Sequence, residues 1–251
     1  MAIRSVQQVL QSHISPDGEG LHIRRTVGKL RHDMDPFLML DEIRATADDE
    51  HIGGFPLHPH RGIETLTYIV SGGFVQEDSL GNRQTLPDGG AQWTSAARGV
   101  IHSERPLIQH GLLHGFQLWI NLPAQHKMNP PQYEQATREA LPELRLPNGT
   151  HLRCISGSWE VAGHSLQSPL HRLAAHARIL DITLLANVSL SLDVPTNHTI
   201  LAYLFDGSLV TGANSVVRRQ QTARYSNGEQ LVLQAGNDGA RLGGRSDVSR
   251  G

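Results

Sequence analysis

The feature that most limits the possible folds of this chain is its series of short apolar segments, each ended by turn-forming residues. The segments are rich in β-branched and aromatic residues and include TLTYIV, FQLWINL, ILDITLL, ILAYLF and QLVLQ. Between them lie clusters of Gly, Asn, Asp and Pro such as SLGN, LPDGG, FDGS and SNGE. The 25 glycines fit this pattern, because many tight turns need φ values that glycine adopts freely. The pattern predicts an all-β protein of the sandwich or barrel type.

A chain of 251 residues is long enough for two domains of ordinary size. An internal comparison supports two related halves, because an apolar strand ending in a glycine turn occurs at 68–72 and again at 203–207. The segment YEQATREALPELRLP, residues 133–147, has helix-forming residues between proline-rich ends and is predicted to be a short, partly helical linker. The predicted parts are therefore an amino-terminal domain at 1–132, the linker, a carboxy-terminal domain at 148–240 and a disordered tail at 241–251.

Charge and cysteine content exclude several classes of partner and location. The 22 Lys and Arg residues balance 24 Asp and Glu residues, so the chain has no field strong enough to bind nucleic acid or an acidic membrane directly. The single cysteine, Cys154, excludes an intrachain disulfide and is predicted to be a buried thiol. No segment approaches the roughly 18 apolar residues of a membrane span, and the amino terminus lacks a secretory signal. We therefore expect a cytoplasmic protein.

Residues 58–64 read HPHRGIE and place two histidines and a carboxylate close together just before an apolar strand. The residue before a proline is pushed toward an extended conformation, and side chains two apart on an extended segment point to the same side. His58 and His60 can therefore converge, and Glu64 faces the same space if the extended geometry persists. A second pair, His102 and Glu104, is also spaced by two residues.

Two such pairs on neighbouring strands would supply three imidazoles and a carboxylate, which suit iron, manganese, nickel, copper or zinc. The alternative is a chance HxH on a solvated strand, since the chain has 15 histidines, but the second pair of matching parity favours a metal site. The aligned positions of the second half lack these donors and hold Asp193, Pro195 and Thr199. Other histidines are predicted to be surface or satisfied core residues, namely His110, His114, His151, His164, His171, His176 and His198.

The segment FPLHPHRGIETLTYIVSGG resembles the first motif of cupin barrels, with HxH, a following glutamate and a later glycine. Residues 81–89, GNRQTLPDG, resemble the second cupin motif, although the histidine that cupins place three residues after PxG is Gln92 here. The run AQWTSAARGVIHSERP continues instead to His102 and Glu104, which resembles the pirin family, as do DPFLMLDE, LWINLP and YLFDGS. The resemblance implies two tandem cupin-type antiparallel β-barrels (a bicupin), of which the first binds metal and the second is degenerate.

The pirin resemblance also implies a ligand set. It implies one divalent metal ion, Fe(II) in the first place with Mn, Ni, Cu, Co or Zn as alternatives, held by His58, His60, His102 and Glu104. Glu64 would hydrogen-bond a ligating histidine and fix its orientation. The alternative for Glu64 is an ion pair at the rim with Arg61 or another base.

Several pirins resemble quercetinases, so the resemblance implies a quercetin 2,3-dioxygenase that opens a flavonol with dioxygen. In that reaction Glu104, as ligand or briefly released base, would take the proton of the substrate hydroxyl. The alternative is a non-catalytic iron-binding regulatory protein that acts through redox-dependent contacts with a partner protein. A third interpretation is a metal that only stabilises the first barrel.

Overall fold

The computed structural model describes residues 2–27, 34–46, 53–212 and 215–247. Within these ranges nearly all regular structure is antiparallel β-sheet, which confirms the all-β prediction. The chain divides into two compact units, which we treat separately. The first unit is His13–Ala140, and the second combines Met1–Ser12 with Leu141–Gly251.

Most strands follow one another along the chain with short turns between them. In chain order they are β1 (Val6–Gln11), β2 (His13–Asp17), β3 (Leu21–Val27), β4 (Phe37–Thr46), β5 (Phe55–His60), β6 (Ile63–Ser71), β7 (Gly73–Asp78), β8 (Arg83–Leu86), β9 (Ala91–Ser95), β10 (Val100–Leu107), β11 (Leu112–Asn121), β12 (Gln132–Ala136), β13 (Glu143–Arg145), β14 (His151–Ser156), β15 (Ser158–Val161), β16 (His164–Gln167), β17 (Arg178–Leu184), β18 (Ser189–Asp193), β19 (Thr199–Gly212), β20 (Ser215–Arg218), β21 (Gln221–Tyr225) and β22 (Gln230–Asp247). Short 3-10 helices lie at Ala124–His126 and Ala174–His176. No helix in the described part of the chain is long and apolar enough to cross a membrane.

The first unit consists of two antiparallel sheets. The larger has the strand order β12-β9-β6-β11-β4-β3-β2, and the smaller has the order β5-β10-β7-β8. Apolar side chains of both sheets form one core, in which Ile23, Ile43 and Ile69 of the larger sheet pack with Phe74 and Leu86 of the smaller. Burial of each such side chain stabilises the unit by about 1.5–3 kcal/mol, so this layer fixes how its two sheets face each other.

A row of buried polar side chains crosses the larger sheet beside this apolar layer. In the register of the strands, Asp41 lies opposite Gln117, Gln117 opposite Thr67, and Thr67 opposite Gln92. Opposed residues share a face of the sheet, and Ile43, two positions from Asp41, shares it too. The row therefore points into the unit, between its two sheets. Buried polar groups need hydrogen-bond partners, which makes this row a place to look for function.

The second unit consists of a nine-stranded sheet and a two-stranded one. The main path of the larger sheet is β1-β21-β19-β22-β17-β14-β13, with β18 paired to β22 and β20 paired to β19; strands β15 and β16 form the small sheet. The long strand β22 pairs with β17, β18 and β19 and so connects most of the unit. Its core is aliphatic and includes Leu152, Leu180, Leu204 and Leu233.

The first strand of the chain lies in a different unit from the one that the sequence predicts. The sequence analysis places residues 1–12 in the amino-terminal domain, but β1 pairs with β21 in the second unit, from Val6 opposite Tyr225 to Gln11 opposite Gln221. Gln11 and Gln221 are 210 residues apart along the chain. A pairing over that separation leaves no local sequence signal, which explains the difference.

The predicted linker and tail also differ from the structure. Residues 133–147 are all described and contain strand residues of β12 and β13 but no helix. Pairing of β12 with β9 and of β13 with β14 overrides the helix propensity of this segment. The predicted disordered tail begins at residue 241, but β22 continues to Asp247 and pairs with β17 and β19. Residues 248–251 lie outside the described ranges.

The only cysteine is fully buried, as the sequence analysis predicts. Cys154 has no exposed surface and lies in the apolar core of the second unit. Burial raises the pKa of its thiol to about 12. A thiol with so high a pKa stays protonated at neutral pH, so Cys154 is a packing residue rather than a nucleophile.

Arg4 connects the first residues of the chain to the second unit. Its side chain is 3% exposed, and all five N–H groups of its guanidinium donate to backbone carbonyl oxygens at 2.6–2.9 Å. The acceptors belong to Pro195, Thr196, His198, Ser226 and Gly228. One arginine therefore joins the turns before β19 and before β22, and holds the amino-terminal segment against them.

We expect Arg4→Met to lower the free energy of unfolding of the second unit by about 3 kcal/mol, because it leaves several buried carbonyl groups without a donor. Urea denaturation followed by circular dichroism measures this change, and hydrogen exchange by mass spectrometry assigns it to the unit. The matched control is Arg218→Met, since that side chain is exposed. Equal stability of the two variants would contradict the role of Arg4 in holding the amino-terminal segment against these turns.

Candidate metal centre

The register of β5 and β10 brings histidines from two distant sequence segments together. His58 lies directly opposite His102, and His60 lies opposite Val100. Because Pro59 separates His58 from His60 on an extended strand, both imidazoles point to the same side. β5 pairs with β10 at the edge of the smaller sheet, where prolines are tolerated. The edge strand therefore carries two of the three imidazoles, and its neighbour carries the third.

The ring nitrogens of these three histidines form one cluster, which we call the histidine triad. The Nε2 atom of His58 lies 3.0 Å from Nε2 of His60 and 3.0 Å from Nε2 of His102. Donor atoms of all three rings lie within 4.8 Å of one another. Among the described residues, this is the group of three or more His, Cys, Asp or Glu side chains that is close enough to share a metal ion.

A backbone contact fixes which nitrogen His58 presents to the triad. Its Nδ1 lies 2.8 Å from the carbonyl oxygen of Pro56, which can only accept a hydrogen bond. Nδ1 therefore carries the hydrogen, and in the neutral ring the lone pair is on Nε2, which faces His60 and His102. Hydrogen bonds of this kind orient the histidine ligands of metal sites.

Burial keeps two of the three imidazoles neutral. His60 is 5% exposed and His102 is 2% exposed. Burial, followed by the charges of the neighbouring His102 and His58, lowers the pKa of His60 to about 3. Burial and then His58 lower the pKa of His102 to about 4, against a smaller opposing effect of Asp78. Neutral imidazole is the form that binds a metal ion, so the triad is ready to bind at neutral pH.

The spacing of the nitrogens fits a transition metal. Two nitrogens that each bind one metal at about 2.1 Å and at a right angle are about 3.0 Å apart. Two pairs of the triad show this separation. Three imidazoles that converge on one point, with few other charges nearby, suit iron, nickel, copper or zinc better than the oxygen-preferring magnesium or calcium. The triad can therefore hold one transition-metal ion.

Glu104 lies beside the triad but outside the cluster of donor atoms. It is two residues after His102 on β10 and is 1% exposed. Its Oε1 accepts a hydrogen bond from Nε2 of Gln76 at 2.7 Å, and its Oε2 accepts one from Nε2 of Gln117 at 3.0 Å. Burial raises the pKa of Glu104, against the hydrogen bond from Gln117, the charge of His58 and the hydrogen bond from Gln76. A buried carboxylate with a raised pKa is suited to take up a proton.

Three glutamines extend from Glu104 into the larger sheet, and together with Glu104 we call them the glutamine network. Gln76 lies opposite Glu104 in the register of β7 and β10. Gln92 donates from Nε2 to Oε1 of Gln76 at 2.5 Å, and Gln117 donates directly to Glu104. Gln92 and Gln117 belong to the polar row of the larger sheet. The carboxylate therefore receives hydrogen bonds from both sheets of the first unit.

Comparison with known proteins identifies the family. The Pirin family model matches residues 20–120. A Vibrio cholerae protein provisionally named quercetin 2,3-dioxygenase is 43% identical over 232 residues, which cover 92% of this chain and 82% of that protein. Human pirin is 32% identical over 223 residues, covering 87% of this chain and 73% of pirin. The chain belongs to the pirin family.

Solved structures of related proteins have the same fold. Quercetin 2,3-dioxygenase from Acinetobacter baumannii is 27% identical, covers 98% of this chain and 87% of its own, and superposes with a TM-score of 0.87. The bacterial pirin YhhW from Escherichia coli, solved with nickel(II), is 18% identical with a TM-score of 0.71, covering 97% and 99% of the two chains. At that identity the likeness concerns the fold alone. These matches confirm the cupin-type architecture that the sequence motifs predict.

The predicted role of Glu64 depends on an extended backbone that carries it to the same side as His58 and His60. The structure does not continue that extended backbone to Glu64. The extended backbone of β5 ends at His60, and Gly62, with φ of 71°, turns the chain into β6 of the other sheet. In that sheet Glu64 lies opposite Ile120 and Ser95, so it points to the face opposite to Thr65 and Thr67. A hydrogen bond from a triad histidine to the carboxylate of Glu64 stays a prediction.

Sequence reasoning missed the side chains that surround the triad. Gln76 and Gln117 carry no motif, although Gln117 interrupts the apolar run FQLWINL, which is a signal for a buried polar role. Trp119, two residues further on, meets the ring of His60 edge-on at a centroid distance of 5.0 Å. The motif comparison found Gln92 only as a departure from the cupin pattern.

Three of the histidines that the sequence analysis predicts to be surface or core residues have identifiable surroundings in the structure. His114 is buried and pairs with Glu42 at 2.9 Å, as expected for a satisfied core residue. His151 contacts Glu143 at the surface of the second unit. Burial, followed by the charges of Arg178 and Arg4, lowers the pKa of His198 to about 4. None of these joins a cluster of metal-binding type within the described residues.

The pKa values of His60 and His102 predict how the metal-free protein responds to acid. In the unfolded chain each imidazole binds a proton as the pH falls through about 6.5. In the folded protein His102 stays neutral down to about pH 4 and His60 down to about pH 3. The unfolded state then binds more protons, so stability is complete above pH 6.5 and decreases as the pH falls toward 4. Each histidine contributes up to about 1.4 kcal/mol per pH unit to this slope.

Urea denaturation of the metal-free protein between pH 7 and pH 5 measures the slope. We expect His102→Gln to reduce it by up to about 1.4 kcal/mol per pH unit, with the largest effect near pH 5. The exposed His22 provides the control variant His22→Gln, which should keep the wild-type slope. A slope that is unchanged in His102→Gln would show that this imidazole does not stay neutral in the folded protein.

Proposed function

We propose that this protein is a metal-dependent dioxygenase that opens a flavonol such as quercetin, with Fe(II) as the metal. The observation that carries the proposal is the convergence of three Nε2 atoms beside a buried carboxylate whose pKa is raised. Relatives that carry the name quercetin 2,3-dioxygenase support the choice of substrate. Manganese, nickel, copper, cobalt and zinc are the alternatives that metal analysis distinguishes.

His58, His60 and His102 would hold the metal through Nε2. A bound divalent metal supplies a Lewis acid for an enol or phenol oxygen of the substrate. The carbonyl of Pro56 keeps His58 in the required tautomer, and burial keeps His60 and His102 neutral. These strand-borne side chains are fixed before any ligand arrives, which is the positioning that such chemistry requires.

Glu104 would accept the proton of the substrate hydroxyl, and we also propose it as a fourth ligand that could be released for this task. Its carboxylate is shielded from water, so its raised pKa places it closer to neutral pH, where proton uptake is efficient. Gln76 and Gln117 hold both oxygens by hydrogen bonds. These two donors would keep the carboxylate oriented in the absence of substrate.

The surroundings of the triad suit a flat aromatic ligand. Trp119 contacts His60 edge-on, and the ring of Phe55 lies 6.3 Å from that of His58. His58 is the most exposed of the three histidines, since His60 and His102 are buried. A ligand would therefore approach from the side of His58 and reach Glu104 and its glutamines at the inner side.

Replacement of a triad histidine tests the proposal. We expect Fe(II)-loaded wild-type protein to consume oxygen in the presence of quercetin and His58→Ala to lose that activity, because the metal loses one of its three nitrogens. Oxygen-electrode traces combined with metal analysis by plasma mass spectrometry give both quantities. His22→Ala, at an exposed position of β3, is the matched control. Full turnover by His58→Ala would refute a catalytic role of the histidine triad.

The role of Glu104 has a separate test. Glu104→Gln replaces one accepting oxygen by an NH2 group, which then faces an NH2 donor of Gln76 or Gln117. We expect turnover to fall roughly 100-fold or more, as for loss of a general base. Metal content shows whether Glu104 is also a ligand, because affinity then falls as well. Glu160→Gln, at an exposed position of β15, is the control; equal turnover of both variants would contradict the proposed role.

Metal without turnover would favour the alternative of an iron-binding regulatory protein. In that case the ferric and ferrous forms should differ in the partner proteins that they retain. If removal of a triad histidine abolishes folding in a protein that has no activity, the metal only stabilises the first unit.

A further inference from the structure

Gln92 is one of the buried side chains near the histidine triad whose hydrogen bonding is incomplete. It is 3% exposed, and its Oε1 receives no hydrogen bond from any described residue. A buried carbonyl oxygen without a donor is unfavourable by about 1–3 kcal/mol, so such groups are rarely left unpaired. The position is also the one at which cupins place a histidine, and in this structure Gln92 lies in the inward-facing polar row and lines a cavity together with His102.

Glu104 determines which end of the Gln92 amide is left over. As a carboxylate, Glu104 only accepts hydrogen bonds, so Gln76 must present its NH2 group to it. The carbonyl oxygen of Gln76 then accepts from the NH2 group of Gln92. The direction of both amides is thus fixed, and Gln92 keeps a carbonyl oxygen that only a further donor can satisfy.

Gln92 lines a small cavity that polar residues surround and that His102 of the triad also lines. The cavity has room for about one water-sized group, and its walls include the ring of His102 and the side chains of Tyr133, Gln76 and Gln84. Burial, followed by a hydrogen bond to Asp78 and the charge of that carboxylate, raises the pKa of Tyr133, so its hydroxyl stays protonated. The carboxylates of Glu77 and Asp78 also line the cavity and disfavour an anionic group there.

We propose that Gln92 is a specificity-determining residue, whose carbonyl oxygen accepts a hydrogen bond from a neutral hydroxyl group of the ligand that binds at the triad. The cavity admits a hydroxyl group but no ring, so the ligand class is an aromatic compound with a free hydroxyl that reaches past His102. This inference rests on the proposed function, because it deepens the choice of substrate for the same site. In this proposal Gln92 and Tyr133 contact that hydroxyl group and so select the ligands that carry it.

The test is a comparison of ligands on zinc-loaded protein, in which binding is measured without oxygen chemistry. The ligands are quercetin and a series of its single O-methyl ethers, one for each hydroxyl group. Isothermal titration gives the Kd of each ligand for wild type and for Gln92→Met, which conserves the size of the side chain but has no acceptor. We expect the substitution to raise the Kd of quercetin about 10-fold.

The series separates a specific contact from a structural effect. For one ether, whose missing hydroxyl is the one that contacts Gln92, the substitution should raise the Kd about 10-fold less than it does for quercetin. Loss of the hydrogen bond from Gln92 to Gln76 affects all ligands equally and cancels in this comparison. Gln132→Met, at an exposed position of β12 that does not line the cavity, should change each Kd by no more than about 2-fold. Tyr133→Phe keeps the ring and removes the hydroxyl. It should likewise raise the Kd of that ether less than it raises the Kd of quercetin.

Three results would overturn the inference. An equal loss of affinity for every ligand would give Gln92 a structural role only, and equal Kd values for wild type and variant would mean that water satisfies its oxygen. Failure of all these ligands to bind the zinc-loaded protein would also overturn it. Failure of the dioxygenase proposal is distinguishable, because it appears as absent oxygen uptake by Fe(II)-loaded wild type, whatever the zinc-loaded protein binds.

Discussion

The carboxylate of Glu104 is the constraint on which the arrangement of the first unit's interior depends. A nearly inaccessible negative charge is tolerated only where donors surround it. Here one donor comes from β7 of the smaller sheet and another from β11 of the larger sheet. A slip of either strand by one residue would turn its glutamine to the opposite face and leave the charge uncompensated. The same register that satisfies Glu104 also points His102, two residues earlier on β10, at His58 and His60.

The two sheets of this unit contribute different kinds of side chain to the site. All three imidazoles and the carboxylate lie on β5 and β10 of the smaller sheet. The larger sheet contributes neutral groups, among them Gln92, Gln117 and Trp119. Neutral groups do not compete for the metal, but they can hold and select what binds next to it. Metal binding and ligand selection can therefore change independently, since they depend on different strands.

The convergence of the candidate metal-binding histidines was predictable from the sequence because the geometry within each pair is local. In HPH and HSE the two side chains of each pair are two apart on one strand, so an extended backbone alone aligns them. The same reasoning fails for Glu64, because Gly62 turns the chain between the two strands and resets the parity. The glutamine network could not be found this way, since Gln76, Gln92 and Gln117 lie on three strands that only the sheet topology brings together. The position of β1 is hidden for the same reason, as its partner is β21.

Glutamine stands at position 92, where the cupin motif has a histidine, and this difference goes with a different arrangement of the site. In the cupin pattern this position of the second motif supplies a metal ligand from β9, and here His102 of β10 supplies the third imidazole. Since a glutamine at 92 no longer needs to face the metal, its NH2 group is free to support Glu104 through Gln76. The orientation that this support requires leaves the carbonyl oxygen of Gln92 as an acceptor beside a small polar cavity. The held carboxylate and the buried acceptor occur together, because the amide of Gln92 cannot support Glu104 through Gln76 without leaving its own carbonyl oxygen unpaired.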